Sequence, residues 1–198
     1  MKLGRIFESP KYTFPQEFNL DDESVNIKTG KELMNDSRKE AIKAIGDYTL
    51  YAFPRAYALI HNDSKYVAYL MKYEVNFHKF LQRQCASQVL VWRAPVRREA
   101  IDLARYIFWS HLLPSYKTII TDSVQTPDGE RFWGNRLTEA FANGIYVYYV
   151  SFIPNREVIQ IHNENEFLKI RTDKDIWGDE SKHQGRRIII TSKELSDI

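Results

Sequence analysis

A mixed α/β (α+β) fold, with a central sheet of about six to seven strands flanked by helices, is what this 198-residue sequence predicts. Three observations carry the prediction. From Ala56 to Phe152 the hydrophobic periodicity reads strand–strand–strand–helix–strand–helix–strand. Two helix starts in that stretch are marked by prolines, Pro95 and Pro127, whose missing N–H is harmless in a first helical turn. The aromatic share is 14%, with 12 Tyr and 11 Phe, and aromatics suit half-buried strand faces and cleft walls.

Residues 1–28 read as an extended arm with room for one short strand. Thr29 opens the motif T-G-K-E, a capping box in which Glu32 reciprocates, and predicts a helix. Leu33, Met34, Ala41, Ile42 and Ile45 would share one face of it up to Gly46. Ala56–His61 is a strand closed by the turn pair Asn62-Asp63, and Tyr66–Phe77 returns as its hairpin partner. A polar link with His78, Lys79 and Arg83 leads to a short central strand, Gln88–Arg93.

From Val96, apolar residues recur at Ala100, Leu103, Ala104, Ile107, Phe108 and Leu112, the spacing of a helical face, with Arg97, Arg98, Asp102 and Arg105 opposite. Pro114 is expected to end that helix, and Lys117–Thr121 to follow as a strand. Strand, helix and strand make a crossover, which implies a parallel pair with a right-handed connection. Thr126-Pro127-Asp128 begins a second helix that Asn143-Gly144 stops. Ile145–Phe152 and Glu157–His162 are further strands about a turn at Pro154-Asn155. Residues 1–163 thus form one domain with an N-terminal arm. Residues 164–198 form a polar extension in which Ile188-Ile189-Ile190 offers an edge strand and Trp177 an aromatic anchor to the domain or to a partner.

Hydrophobic content of 43% and charged content of 27% allow a real core. A formal charge of +2 argues against bulk electrostatic capture of nucleic acid, so any basic site is local. One such cluster, Lys182, His183, Arg186 and Arg187, reads as a solvated tail or a nucleic-acid contact. The single cysteine, Cys85, excludes an intramolecular disulfide and a multi-cysteine metal site. The histidines have no ligand spacing. With no long apolar run and no secretory leader pattern at the start, the expected location is cytoplasmic, without a membrane partner.

The order of elements, and the helix starts after the fourth and fifth strands, resemble the GNAT N-acetyltransferase superfamily over roughly Thr49 to His162. The stretch Ile120–Trp133 (I-T-D-S-V-Q-T-P-D-G-E-R-F-W) is similar to small phage-encoded GNAT-like proteins. Tyr57–Asp63 and Val67-Ala68-Tyr69 resemble toxin-activating lysine acyltransferases. The resemblance implies acetyl-CoA or another acyl-CoA as donor, bound by a glycine loop at the start of the helix after the fourth strand. The matching segment, Arg93–Ala100, has Arg93 at the first position of that motif but lacks both glycines. Arg97 and Arg98 supply positive charge instead, since guanidinium groups pair well with phosphate oxygens. Arg93, Arg97, Arg98 and the capping Thr126 are therefore the candidate cofactor-binding residues.

Acyl transfer to an amine needs a base for the amine proton and an acid for the leaving thiolate. Glu74, on the strand Tyr66–Phe77, is the candidate base, against an exposed strand residue as the alternative. Asp122, at the end of the fifth strand, would orient an amine or act as a base, against a plain turn-forming role. Tyr148, in the row Tyr146, Tyr148 and Tyr149, is a candidate acid, against a packing role. Cys85 has no histidine nearby in sequence and is a weak nucleophile candidate.

Two functions from different classes follow. One is an acyl-CoA-dependent N-acyltransferase of phage or bacterial origin acting on a protein amine, a small amine or a nucleobase, as GNAT-like folds do in phage DNA modification. In that case the host cytoplasm is the expected location. The other is a non-catalytic GNAT-like module in a virion or against a host-defence protein. A nucleic-acid accessory role is the third.

Overall fold

A computed structural model of the chain describes residues 20–79, 81–94, 98–100, 102–121, 127–152, 156–177 and 185–195, with backbone alone at 88–90 and 98. Arg97, Asp122 and Thr126 lie outside the described residues. So do the turn at Pro154-Asn155, the start of the arm, Pro95, and Lys182 and His183. The chain divides into two compact units. One takes the chain up to Tyr73 together with Val89–Ile107, and the other takes Glu74–Gln88 with Phe108–Ile198.

In the first unit, helix α1 spans Glu23–Met34, starting before the T-G-K-E motif rather than at it. Asp22 is the cap, accepting from the N–H groups of Ser24 (2.8 Å) and Val25 (3.2 Å), donors that the first turn leaves open. Thr29 sits inside the helix and donates its hydroxyl to the Val25 carbonyl. The expected helical run through Ala41, Ile42 and Ile45 is instead strand β1, Glu40–Ile45. A two-residue turn, with Gly46 at φ +57°, pairs β1 antiparallel with β2, Tyr48–Phe53, and such turns require a left-handed residue.

Strand β3, Ala56–His61, follows the turn Pro54-Arg55 and is buried from Ala56 to Ile60. It pairs antiparallel with β4, Val67–His78. Strand β5, Arg83–Arg93, starts earlier than the sequence suggests and carries Arg83 within it. Leu20, Phe53, Ala58, Ile60, Val67, Leu70 and Trp92 pack into the core of this unit. Asn26 is fully buried against it. Its side chain donates to the carbonyls of Leu20 (3.1 Å) and Val67 (2.9 Å) and accepts from the Val67 N–H (2.6 Å). A buried amide is tolerated because it is bonded on both ends.

The expected single long helix after β5 is broken into pieces. A 3-10 turn at Arg98–Ala100 is followed by Asp102 in the left-handed region (φ +62°), and only then by α2, Leu103–Ile107. In the second unit a π-helical turn, Phe108–Leu112, leads into α3, Leu113–Tyr116. Pro114 does not end the helix. It occupies the first turn of α3, where no N–H is needed, and the stop is Lys117 at φ +60°.

The second unit continues with β6, Thr118–Ile120, then α4, Pro127–Ala142, β7, Tyr146–Ser151, and β8, Glu157–Ile161. The polar extension holds a helix that the sequence reading missed, α5, Glu164–Asp173. Asn163 caps it, and Phe167 and Trp177 pack at its inner side with ring centroids 5.6 Å apart. The last strand, β9, Arg186–Thr191, is not at an edge. It lies between β6 and β7, antiparallel to both, because Ile188, Ile189 and Ile190 are completely buried and need cover on two faces.

The order is β1-β2-β3-β4-β5 through the first unit and β4-β5-β6-β9-β7-β8 through the second. The fold is thus a mixed α+β sheet flanked by helices, with nine strands among the described residues where six to seven are expected. The two additional strands are β1, expected as the second half of a helix, and β2, to which no element was assigned. The expected parallel pair is present as β5 and β6, with Ala86 opposite Ile119 and Ser87 opposite Ile120.

Candidate functional site

One face of the second unit's sheet can be followed strand by strand from the register. Side chains alternate along a strand, so Glu74, Asn76 and His78 of β4 share a face. On β5, Cys85 and Ser87 share one too, and Ser87 lies opposite Ile120 of β6. Ile120 lies opposite Ile189 of β9, and Ile189 opposite Tyr148 of β7. Two residues back along β9, Arg187 lies opposite Val150. Toward β7 this face is a core of Leu81, Cys85, Ile120, Tyr148, Val150, Ile189 and Leu195.

Where β6 ends and β9 begins, the same face opens into a cavity of about 350 Å³. Its lining comes from β4 (Glu74, Asn76, His78), β5 (Cys85, Ser87), the end of β6 (Ile120, Thr121), Phe152 after β7, and Arg187. The Asn76 amide donates to the Glu74 carboxylate at 3.3 Å. Thr121 is locked by two bonds to Ile188: its N–H donates to the Ile188 carbonyl (2.9 Å), and its hydroxyl accepts from the Ile188 N–H (3.0 Å). That bridge extends the β6–β9 ladder by one step and fixes the rim. Arg187 rests one nitrogen on the Arg186 carbonyl at 2.8 Å.

The His78 ring leans on Phe152, with centroids 5.2 Å apart. Burial, and then the positive charge of Arg187, hold its imidazole below the ordinary value, so it is neutral at pH 7. Burial pushes the Cys85 thiol up to about 11, against a weaker opposing pull from Arg83. It is therefore a packed, protonated thiol rather than a nucleophile, although His78 lines the same cavity.

The sequence-derived site residues separate clearly. Glu74 is half-buried and lines the cavity. Tyr148 belongs to the core on the same face, two strands along from β5's neighbour β6, and its phenol oxygen accepts from the Leu195 N–H at 3.1 Å. Burial, above all, raises its pKa and keeps the phenol protonated. Of Arg93, Arg97, Arg98 and Thr126, the side chain of Arg93 alone is described. It ends β5 in the first unit, half-buried. Asp122 would follow Thr121 directly and lies outside the described residues.

Asn76, His78, Ser87, Thr121 and Phe152 were not singled out as site residues, and Arg187 was named only within a basic cluster of the tail. The signal available for the first two was alternation with Glu74 along one strand. Nothing local announces Arg187, which reaches the cavity because β9 inserts beside β6. A carboxylate, a guanidinium and a neutral imidazole around an aromatic wall can bind a small polar molecule and move a proton from it. Among the described residues no group of three His, Cys, Asp or Glu could hold a metal ion, and no helix is long and apolar enough to cross a membrane. Compared with protein-family models, with curated proteins and with solved structures, the chain matches none.

Proposed function

We infer that the chain is an acyl-CoA-dependent N-acyltransferase acting by direct transfer from a bound donor to a bound amine. The observation that carries this reading is Glu74, a half-buried carboxylate facing a cavity at the end of the parallel strand β6. In open sheets, ligands collect beyond the carboxyl ends of parallel strands. In the proposed reaction Glu74 takes a proton from the acceptor amine and a C–N bond forms. The thioester C–S bond breaks, and the leaving thiolate takes a proton. Tyr148, held protonated by burial on the same sheet face, is the candidate acid.

Calorimetric titration of the whole chain with acetyl-CoA and with free coenzyme A tests the donor half. Saturable binding of both is expected, with thiol release when amines are added. No binding at millimolar ligand sinks the reading. Glu74→Gln should lower transfer by about 10²- to 10⁴-fold, the usual range for a lost general base, and leave coenzyme A affinity unchanged.

One observation favours the second reading, a GNAT-like binding module without transfer. The Ala94 N–H, just past β5, donates to the Ala68 carbonyl at 2.9 Å and is spent inside the sheet. A phosphate cradle at the start of the next helix uses such backbone donors, and Arg93–Ala100 has no glycine to bring others close. Binding of an acceptor without any affinity for coenzyme A would select this reading.

A further inference from the structure

Tyr148 is only 4% exposed, so in this conformation its phenol is closed to a substrate. A group that is to donate a proton must come within hydrogen-bond reach of the atom that receives it. Either Tyr148 is packing alone, or something that covers it moves. The segment Ser192–Leu195, which follows β9 without regular structure, has the construction of a moving part.

Its root is tied to the sheet. The Ser192 N–H donates to the Lys117 carbonyl at 2.9 Å, and the Lys193 N–H to the Thr191 hydroxyl at 3.3 Å. That hydroxyl also lies 3.1 Å from the Lys193 carbonyl. The far end is held differently. Ser192, Lys193 and Glu194 are exposed, and Leu195 alone turns inward. Its side chain joins the core that contains Tyr148, Cys85 and Ile120, and its N–H donates to the Tyr148 phenol oxygen at 3.1 Å. Among the described residues no other hydrogen bond or ion pair holds Glu194 or Leu195. One apolar side chain and one neutral hydrogen bond thus oppose the conformational entropy of an irregular segment, and these terms are of similar size. An end so held opens locally while the strands beneath stay paired.

The consequence reaches the cavity. Cys85 and Ile120 belong both to the core that seats Leu195 and to the cavity lining, so the two share a wall. We propose that Ser192–Leu195 is an autoinhibitory strap that closes over Tyr148, and that the site becomes competent when Leu195 lifts out. Lifting frees the volume of one leucine side chain beside the phenol and removes the backbone N–H from its oxygen. What the strap regulates rests on the acyltransferase reading; that it opens locally does not.

Native-state hydrogen exchange on the full chain, followed by NMR below the unfolding midpoint in urea, tests the opening without a variant. The Leu195 amide should exchange at least about tenfold faster than the amides of Ile188 and Ile190, after correction for sequence, and at a rate independent of urea. The two β9 amides should accelerate with urea, because they wait for unfolding of the sheet. A Leu195 amide that follows the same urea slope as β9 overturns the strap. Linkage tests the regulation: if acetyl-CoA binds the open form, saturating acetyl-CoA must speed Leu195 exchange. Leu195→Gly, which keeps the N–H and deletes the anchor, should bind acetyl-CoA at least about fivefold more tightly by calorimetry, since the closed state no longer competes. Acetyl-CoA binding that leaves Leu195 exchange unchanged overturns the autoinhibitory role, even where the variant fails to fold. No acetyl-CoA binding at all sinks the acyltransferase reading alone, and the urea slope then decides the strap by itself.

Discussion

Gly30 offers a stability test in which two physical effects have opposite signs. Alanine is the better helix former by about 1 kcal/mol, so propensity alone predicts that Gly30→Ala stabilises α1. Packing predicts the reverse. A Cβ at Gly30 would lie 1.8 Å from the Lys65 carbonyl oxygen, 3.0 Å from its carbon and 3.3 Å from Val67 Cγ2. Even a C–H···O contact keeps carbon and oxygen about 3.3 Å apart, so α1 must retreat by about 1.5 Å or the Lys65 segment must give. That segment has little freedom: Lys65 is already left-handed at φ +64°, and Val67 starts β4.

A retreat of that size would also pull Asn26, one turn earlier, from its three bonds to Leu20 and Val67. Overpacking costs about 2 kcal/mol and a buried amide losing a partner about 2 more; less about 1 for propensity, the net loss is about 3 kcal/mol. With a urea m value of about 2 kcal/mol/M, the midpoint should fall by about 1.5 M. Urea denaturation read by tryptophan fluorescence and far-UV circular dichroism measures it. Gly134 in α4 is the control, because a Cβ there meets nothing within 4 Å. Gly134→Ala should gain up to about 1 kcal/mol. If Gly30→Ala leaves the midpoint unchanged or raises it like Gly134→Ala, the close approach of α1 to Lys65 is wrong.

Three further outcomes follow from the second unit. At pH 9 a thiol with a pKa of about 11 is about 1% thiolate and a free one about half, so Cys85 should alkylate at least about fiftyfold more slowly folded than in denaturant. Because its folded pKa is raised, its contribution to stability is full below pH 9, the unfolded value, and is lost as pH rises toward 11, visible as a falling urea midpoint that Cys85→Ala removes. Glu139 ties Arg136, an almost buried cation, at 3.0 Å and accepts from the Trp109 indole N–H of the π turn at 2.5 Å. Glu139→Ala removes the carboxylate paired with that cation, and a loss of about 3 kcal/mol in denaturation is expected, against near zero if the pair contributes nothing. Tyr148→Phe removes the acceptor of the Leu195 N–H and should cost about 1 kcal/mol; a fall in kcat at constant KM marks the phenol as the acid, and stability loss alone marks it as packing.

The central part of the fold is legible in the sequence because its signals are local. Ala56–His61 is an unbroken apolar strand ending at a turn pair, Pro127 opens α4, and Gly144, at φ +65°, follows its end. The misreadings arise where two local signals compete. Thr29 and Glu32 match a capping box, but Asp22 caps the helix about two turns earlier and Gly46 turns the next segment into a hairpin. In the polar extension, α5 buries only Phe167, so its apolar stripe is too thin to stand out. Glu74 was visible as a carboxylate on a strand. Arg187 was not, because its place depends on which strands β9 inserts between, and that is decided by a register more than sixty residues removed from Thr121 along the chain.

That insertion also orders events in time. The first unit's strands β1 to β4 are a succession of hairpins and can pair as they emerge during synthesis, since short loops close at little entropic cost. β6 and β7 cannot. Each waits with a bare edge until residues 186–191 arrive to fill the gap, and only then do Arg187 and the bridge from Thr121 to Ile188 complete the cavity rim. Removing β9 would therefore not trim this sheet but leave two unpaired strands facing each other, the arrangement from which intermolecular pairing and aggregation begin. The cavity rim is complete only once β9 has paired with β6 and β7, so a ligand that binds there would recognise this sheet only with that strand in place.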